Sequence, residues 1–352
     1  MDQPVGRMGT TEPGADAAVD LPDASWRQVL VSYTEPRLGR SLLDIATSVV
    51  PYLALMTAIF FSLRVSVVLA LLLAVPAAGF LIRTFIVFHD CAHGSFLPSR
   101  RANAMLGAIL GVVVWLPFQS WRREHAIHHA TAGDLDRRGT GDVLTLTVDE
   151  YRARPWWGRA AYRVFRNPFV MFGLGWFLVL VLKPRFVSRS APKRIRYSVL
   201  GTDLALALLV VGLCLTIGWQ AYVLVQVPTL VLAGAAGVWL FYVQHQFEDT
   251  YWQPNEAWQY DDAALHGSSY LKLPKILQFF TGNIGFHHVH HLSALIPNYN
   301  LESAHNDSAR LQATPVLSLR EGLRATRLKL WDGEQGRLVT YRETRRPTSA
   351  ET

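Results

Sequence analysis

Long stretches without a charged side chain constrain the fold of this chain more than any other feature. Leu204 to Phe247 is a run of 44 residues with no Asp, Glu, Lys or Arg, broken near Gly218. Ile45 to Leu63 and Val65 to Ile82 add 19 and 18 uncharged residues, with Arg64 between them. A helix rises about 1.5 Å per residue, so each run can cross an apolar layer of about 30 Å. We therefore expect two transmembrane hairpins, with spans at about 45–63, 65–88, 200–218 and 221–244.

Composition agrees with a membrane protein and argues against other classes. Half of the residues are hydrophobic, which is unusual for a soluble domain. The net charge of +7 comes from Lys and Arg that flank the apolar runs, which favours anionic lipid headgroups over nucleic acid as the partner. The two cysteines, Cys91 and Cys214, exclude a disulfide framework. The first 40 residues lack a short apolar core after a basic start, so we expect a loosely ordered tail and no cleaved signal peptide.

Three histidine-rich boxes follow the same spacing rule. They are His89-Asp90-Cys91-Ala92-His93, His125-Ala126-Ile127-His128-His129 and His287-His288-Val289-His290-His291. Residues three and four apart lie on one face of a helix, so each box aims two or three imidazoles in one direction. The histidines that share a face are His89 and His93, then His125, His128 and His129, then His287, His290 and His291.

These eight histidines are too many for one tetrahedral zinc ion, which indicates two metals. Imidazole suits iron, copper, zinc and nickel, so ligand type alone does not identify the metal. A polynuclear site at a membrane surface is well placed to act on a long apolar molecule. Attack on an unactivated C–H bond needs an oxidising centre, and a pair of irons is suited to that task.

Boxes that share one metal site must lie on the same side of the membrane. Two further uncharged runs, at about 102–121 and 167–182, are therefore expected to be interfacial or re-entrant helices and not complete spans. Between Arg100 and Arg196 there are 17 Lys and Arg residues, whereas the outer turns of the two hairpins carry only Arg64. The positive-inside rule thus predicts that the boxes and both termini are cytoplasmic.

The boxes and their flanking residues resemble those of the membrane fatty acid desaturases, and most closely the bacterial and cyanobacterial acyl-lipid members. The similarity extends to His129-Ala130-Thr131 with Asp134-Leu135-Asp136-Arg137-Arg138-Gly139, to Gly141-Asp142-Val143, and to Gly282-Asn283-Ile284-Gly285-Phe286 before Leu292-Ser293 and Ile296-Pro297-Asn298-Tyr299. It covers about residues 40–305.

The resemblance implies an all-α integral membrane protein with four transmembrane helices, interfacial helices and a cytosolic helical cap. It also implies two iron ions, O2 as co-substrate, and electrons from a separate ferredoxin- or flavodoxin-type donor, because no cytochrome b5-like segment is apparent. Mapped onto this chain, the iron ligands are the eight boxed histidines and, near the end of the fourth membrane helix, His245 as a ninth. Some animal relatives add an Asn one turn earlier, where this chain has Phe241.

Several acidic residues are candidates to hold ligand imidazoles through their second N–H group. A role as helix cap or turn residue is an equal alternative for the first three of them. Among the other histidines, we expect His266 and His305 to be structural, and we leave His288 out because its box has the required spacing without it. The acidic candidates are Asp90, Asp134, Asp136, Glu248 and Asp249.

The sequence therefore predicts a cytosolic tail over 1–40, a membrane desaturase domain over 41–305, and a C-terminal cytosolic helix with a disordered end over 306–352. The predicted function is oxygen-dependent insertion of a cis double bond into membrane lipid acyl chains. The alternative is a di-iron hydroxylase or ketolase acting on lipid, carotenoid or alkane. A metal transporter is disfavoured, because the histidines lie at and beyond the helix ends and not near the bilayer midplane. The sequence leaves open the double-bond position, the chain length, the identity of the donor and the oligomeric state. It also leaves open whether the acyl group is carried on a lipid, coenzyme A or a carrier protein.

Overall fold

The computed structural model describes residues 26–345, and most of them are helical. The remaining parts of the predicted tails, residues 1–25 and 346–352, lie outside the described residues. Within the predicted N-terminal tail, helix α1 (Trp26–Leu30) precedes a 3-10 turn at Val31–Tyr33. Trp26 and Leu30 are buried in a hydrophobic cluster with Ile284 and Leu301. This part of the tail is thus packed against the third histidine box region.

The first predicted hairpin consists of α2 (Leu38–Ser62) and α3 (Val67–His93). Ser66 caps α3 by accepting a hydrogen bond from the Val68 N–H, 3.2 Å away. Small side chains at Ala70, Ala74 and Ala77 allow the two helices to approach closely, and they pack with Ile59. Both helices extend beyond the predicted spans, and the last turn of α3 contains the first histidine box.

The second predicted hairpin consists of α9 (Lys193–Ile217) and α10 (Trp219–His245). Gly218 joins them with φ of 85°, a left-handed conformation that suits glycine. Helix α10 packs against α3 and ends at His245. The ends of α3 and α10 therefore place His93 and His245 in the same region of the protein.

The run predicted as one helix over 102–121 is two helices, α4 (Arg100–Val113) and α5 (Phe118–Thr131). They meet at an angle of 103° across a short break. Pro117 accounts for the break, because a proline disfavours helical conformation at the residue before it. The bend returns the chain toward α3 and brings the second histidine box, at the end of α5, to the first.

The run predicted over 167–182 begins with α8 (Pro168–Gly173) and continues through a π-helical turn at Phe177–Leu182 and a 3-10 turn at Lys183–Arg185. Taken together, Pro168–Arg185 is long and apolar enough to cross a membrane. Five described helices pass that test of length and composition, and the other four are those of the two hairpins. Length and composition therefore leave the role of this run open.

Short elements outside the hairpins form a cap that includes β-structure as well as the predicted helices. One small sheet has the order β1-β4-β5, with β1 parallel and β5 antiparallel to β4, and a second pairs β2 with β3 in parallel. These strands have only two or three residues each, too few to show an alternating sequence pattern. The cap elements are β1 (Leu146–Thr147), α6 (Val148–Ala153), α7 (Trp156–Phe165), α11 (Tyr260–His266), β2 (Tyr270–Lys272), α12 (Lys275–Phe280), α13 (His287–Leu292), α14 (Leu301–Asn306), α15 (Ala309–Gln312), β3 (Val316–Ser318), α16 (Leu319–Ala325), β4 (Leu330–Asp332) and β5 (Arg337–Val339).

Candidate metal centre

Nine histidines from four helices converge at the junction of the hairpins and the cap. They form two groups, and within each group one nitrogen per imidazole lies within 4.8 Å of the others. Every histidine predicted to be a ligand belongs to one of the two groups. The first group is His89, His93, His125, His129 and His290, and the second is His128, His245, His287 and His291.

Helical spacing explains how the second and third boxes each contribute to both groups, whereas both histidines of the first box enter the first group. On α5, His125 and His129 are four residues apart and enter the first group, while His128 points to the second. On α13, His290 enters the first group, and His287 and His291 enter the second. Because α5 and α13 each supply histidines to both groups, the groups are neighbours, and the rings of His129 and His291 stack with centroids 4.2 Å apart.

The Nε2 atoms of the first group point at one another without a carboxylate between them. The Nε2 atom of His125 is 3.0 Å from that of His89 and 3.1 Å from that of His129. The His129 Nε2 atom is in turn 3.0 Å from that of His290. The Nε2 atom of His93 is buried and has no hydrogen-bond partner among the described residues. Two nitrogens each about 2.1 Å from a shared metal, at a right angle, are about 3.0 Å apart, so this spacing fits a metal site.

In the second group, the hydrogen bonds of two Nδ1 atoms indicate that a cation lies between the Nε2 atoms. Nδ1 of His128 lies 2.5 Å from a carboxylate oxygen of Asp142, and Nδ1 of His245 lies 3.0 Å from the carbonyl oxygen of Gly267. Both oxygens are acceptors, so each Nδ1 must carry a hydrogen. In neutral rings both Nε2 atoms then present lone pairs, and they face each other at 3.1 Å. Two facing lone pairs repel unless a cation lies between them.

Protonation of the imidazoles does not provide the positive charge in place of a metal cation. Burial, followed by the neighbouring His245, lowers the pKa of His287 well below its ordinary value. Burial and then His129 lower the pKa of His291 in the same way, and burial and then His89 lower that of His290. The imidazoles on α13 are therefore neutral at physiological pH, which is the form that binds metal.

Asp90 connects the first group to a buried polar network. One carboxylate oxygen of Asp90 lies 3.1 Å from Nδ1 of His89. The other accepts hydrogen bonds from Asn298, through its backbone N–H at 2.7 Å and its side-chain amide at 3.0 Å. The same amide donates to Asp44, 2.9 Å away, and Asp44 forms an ion pair with Arg83. Asp90 is thus held where its carboxylate can orient the His89 ring.

The other four predicted acidic residues make their described contacts away from the imidazoles. Asp134 accepts hydrogen bonds from the backbone of Asp136 and Arg137, and it forms an ion pair with the Arg137 side chain. Asp136 accepts from the Asn255 N–H, as a turn residue does. Glu248 pairs with Arg337, and Asp249 is exposed.

Asp142 is a site residue that the sequence-based list of acidic residues omits. It is separated from His128 by 14 residues, and the intervening loop returns through Gly139 and Gly141, both with positive φ. A Cβ atom on Gly141 would come within 2.8 Å of the His128 Cβ, so the loop needs a glycine there to approach α5. The signal available in the sequence is the Gly141-Asp142-Val143 motif.

The three remaining histidines of residues 26–345 lie outside both groups. Nε2 of His288 lies 3.0 Å from Nδ1 of His305, and both side chains are buried beside Phe286 and Tyr270. His266 is exposed and lies 3.8 Å from Asp262 on α11. His266 and His305, predicted to be structural, and His288, left out of the predicted ligands, therefore contribute no nitrogen to either group.

Aromatic side chains cover the metal centre where it meets the membrane helices. The Trp121 ring stacks on His125 with centroids 4.3 Å apart and packs against Phe85 and Phe88. Phe241 lies 5.0 Å from His128 and 5.7 Å from His245, measured between ring centroids. Phe241 has no side-chain oxygen or nitrogen, so the second group has an apolar neighbour at this position.

Comparisons with known proteins agree with this arrangement. Residues 64–321 match the family model described as fatty acid desaturase. The chain is 45% identical over 313 residues to a protein of Bacillus subtilis (strain 168) named fatty acid desaturase, with 89% of each chain covered. It is 30% identical over 224 residues to the sn-1 oleoyl-lipid 12-desaturase of a Synechocystis strain, with 63% of each chain covered. It is 26% identical over 242 residues to that strain's sn-1 acyl-lipid omega-3 desaturase (ferredoxin), with 62% of each chain covered. The chain therefore belongs to the fatty acid desaturase family of oxidoreductases.

Proposed function

We propose that this enzyme inserts a cis double bond into the acyl chains of membrane lipids, using O2, two iron ions and electrons from a separate donor protein. The observation that carries the proposal is the convergence of nine buried or half-buried histidines into groups of five and four. The facing Nε2 lone pairs of His128 and His245 support metal at that centre. Membership of the desaturase family supports iron over the other metals that imidazole binds.

Each part of the chain has a separate task in this proposal. The first group would hold one iron and the second group the other, and the bound irons would supply the oxidising power that removes two hydrogens from adjacent acyl methylenes while O2 is reduced. Asp90 and Asp142 orient His89 and His128 through their Nδ1 hydrogens. Trp121 and its aromatic neighbours form an apolar wall that excludes water and positions the acyl chain.

We further propose four transmembrane spans with the metal centre and both termini on the cytoplasmic side. His89 on α3 and His125 on α5 are in contact, so the bent pair between them cannot be a complete crossing. His128 on α5 and His245 on α10 are also in contact. An even number of crossings must therefore separate them, which α9 and α10 supply, so Pro168–Arg185 lies in the interface.

The class of substrate and donor is supported by what two relatives are named for. One Synechocystis relative is named for an oleoyl-lipid substrate, and the other for an acyl-lipid substrate and ferredoxin. We infer that this chain also acts on acyl groups of membrane lipids and takes electrons from a ferredoxin- or flavodoxin-type protein.

Expression in a bacterium whose lipids lack internal double bonds of this type tests the proposal. Fatty acid profiling by gas chromatography and mass spectrometry should show a new cis double bond with the wild type. His290→Ala and His287→Ala, one from each group, should abolish it and lower the iron content of the purified protein from about two per chain. Hydroxylated or ketone products would instead identify an oxygenase of the same architecture.

A matched control separates loss of metal from loss of folding. His266→Ala changes an exposed histidine outside both groups and should leave product and iron content unchanged. His288→Ala changes a buried histidine in the same box and should retain iron even if it lowers stability. No new product from an iron-loaded wild type with a working donor would rule out desaturation of the host's lipids.

A further inference from the structure

A second cluster of charged groups lies outside the metal centre, in an open cavity between α7 and the end of the cap. The cavity has a volume of about 380 Å³, and its walls include Arg163, Arg166, Lys329 and Arg342. None of these four cations takes part in the salt bridges found among residues 26–345. The cavity therefore concentrates positive charge without a compensating carboxylate.

Two of the cationic side chains are buried, and burying a cation without an anionic partner lowers the stability of the folded state. Arg166 has no exposed surface, and its Nε atom has no hydrogen-bond partner within the described part of the chain. Lys329 is also buried, and its side-chain nitrogen donates to the carbonyl oxygen of Arg166 at 2.6 Å. A buried charge is stabilised far better by a charged partner than by neutral dipoles. The guanidinium of Arg166 bonds only to uncharged groups, namely Leu144, Thr145, Tyr242, Gln246 and Leu328.

The cavity also offers donors suited to several oxygens of one ligand. Tyr341 lines the cavity, and its hydroxyl oxygen is buried without a hydrogen-bond partner among residues 26–345. Arg163 lies with its guanidinium carbon 5.2 Å from the centre of the Tyr341 ring, so the two side chains share one wall. A phosphate presents several acceptor oxygens, and arginine binds it with directed pairs of hydrogen bonds.

The surroundings of the cavity indicate that its ligand comes from the membrane. Helix α7 precedes the cavity and exposes Trp156 and Trp157, which are 75% and 63% accessible. Phe169, at the start of α8, is 88% accessible. Exposed tryptophan and other aromatic side chains are typical of the headgroup level of a bilayer. We propose that this cavity binds the phosphate of a membrane phospholipid, with Arg163, Arg342 and Lys329 as its cationic contacts and Arg166 as a buried positive charge behind them.

This site is separate from the chemistry at the metal centre, and it does not depend on the reaction that the enzyme performs. Binding should therefore be measured directly on the full-length protein in neutral detergent. Dihexanoyl phosphatidylglycerol, below its micelle concentration, should bind at least tenfold more tightly than dihexanoylglycerol, which lacks the phosphate. Inorganic phosphate should bind more weakly than the phospholipid, because it cannot use the neighbouring apolar surface.

Two exposed cations provide variants that should fold normally. The double variant Arg163→Gln/Arg342→Gln should weaken binding of the phospholipid at least tenfold. Arg159→Gln is the matched control, because Arg159 is exposed on the same helix but does not line the cavity. Its affinity should equal that of the wild type. The thermal midpoint of each variant shows whether the fold is intact.

Three results would each overturn the proposal. Equal binding by the double variant and the wild type would show that the cavity is not the binding site. Equal affinity for inorganic phosphate and the phospholipid would identify a site for free phosphate. Binding of an acidic ferredoxin that depends on Arg163 and Arg342, without binding of the phospholipid, would identify a docking site for a carrier protein.

Discussion

The carboxylate of Asp142 lies 2.5 Å from Nδ1 of His128 and thereby fixes which nitrogen of that ring faces the second group. A carboxylate behind a ligand imidazole both orients the ring and raises its basicity, and losing such a partner costs about 10- to 100-fold in metal affinity or activity. We expect Asp142→Asn to lower the iron affinity and the rate of double-bond formation by about that factor. Iron content and lipid profiling measure the two effects.

Asp136→Asn is the matched control for Asp142→Asn. Asp136 lies in the same loop, but its carboxylate accepts a hydrogen bond from the Asn255 N–H and contacts no ligand. It should retain wild-type iron content. If Asp142→Asn also retained full iron content and rate, the Asp142 carboxylate would have no role in holding His128.

Asn298 links the first group to α2, because its amide donates to both Asp90 and Asp44. In Asn298→Ala, the two carboxylates keep their burial but lose this donor. An unsatisfied buried acceptor costs about 1–3 kcal/mol, so the thermal midpoint in detergent should fall. Asn306→Ala, at an exposed position on α14, should leave the midpoint unchanged. An unchanged midpoint in Asn298→Ala would show that the network adds no net stability.

Trp121 stacks on His125 and separates the first group from the membrane helices. In Trp121→Leu the nine histidines remain, so iron content should be unchanged. The wall that positions the acyl chain would be lost, and a misplaced substrate commonly costs about tenfold or more in rate. The product profile should show a lower yield and less uniform double-bond position. Trp219→Leu, at the exposed start of α10, is the control, and equal profiles for both variants would exclude a positioning role for Trp121.

Much of the candidate site follows from local sequence. The spacing of the three boxes predicts eight of the nine histidines in the two groups, and the family resemblance predicts the ninth, His245. Spacing cannot predict that His128 belongs to the second group while His125 and His129 belong to the first. That division depends on how α5 is oriented relative to α10. Asp142 is equally hidden, since its contact with His128 requires the path of a glycine-containing loop.

The long helices of the fold were also predictable, because uncharged runs of this length have few alternatives. The strands were not, because pairs such as Leu146 with Leu330 join segments that are far apart in the chain and only two or three residues long. The break at Pro117 had a local signal in the proline itself, although the 103° bend did not. Tertiary contacts thus account for most of what the sequence-based interpretation lacked.

Lys329 makes the free energy of unfolding depend on pH, and this dependence can be measured independently of the metal centre. Burial, followed by the neighbouring Arg166, lowers the pKa of Lys329 to about 7. In the unfolded chain the pKa of a lysine is about 10.4, so between about pH 7 and 10 the unfolded state binds more protons than the folded state. The free energy of unfolding should therefore rise with pH over that range, by up to about 1.4 kcal/mol per pH unit for this one group. Thermal midpoints measured from pH 7 to 9 should rise in the wild type.

Lys329→Met removes the titrating group and should flatten this rise, whereas the exposed substitution Lys272→Met should not. A phosphate bound in the cavity would favour the charged form of Lys329 and raise its pKa, which also reduces the rise. Dihexanoyl phosphatidylglycerol should therefore flatten the pH dependence of the wild type and leave that of Lys329→Met unaffected. A pH dependence that is the same in wild type and Lys329→Met would show that Lys329 is charged in the folded protein throughout this range.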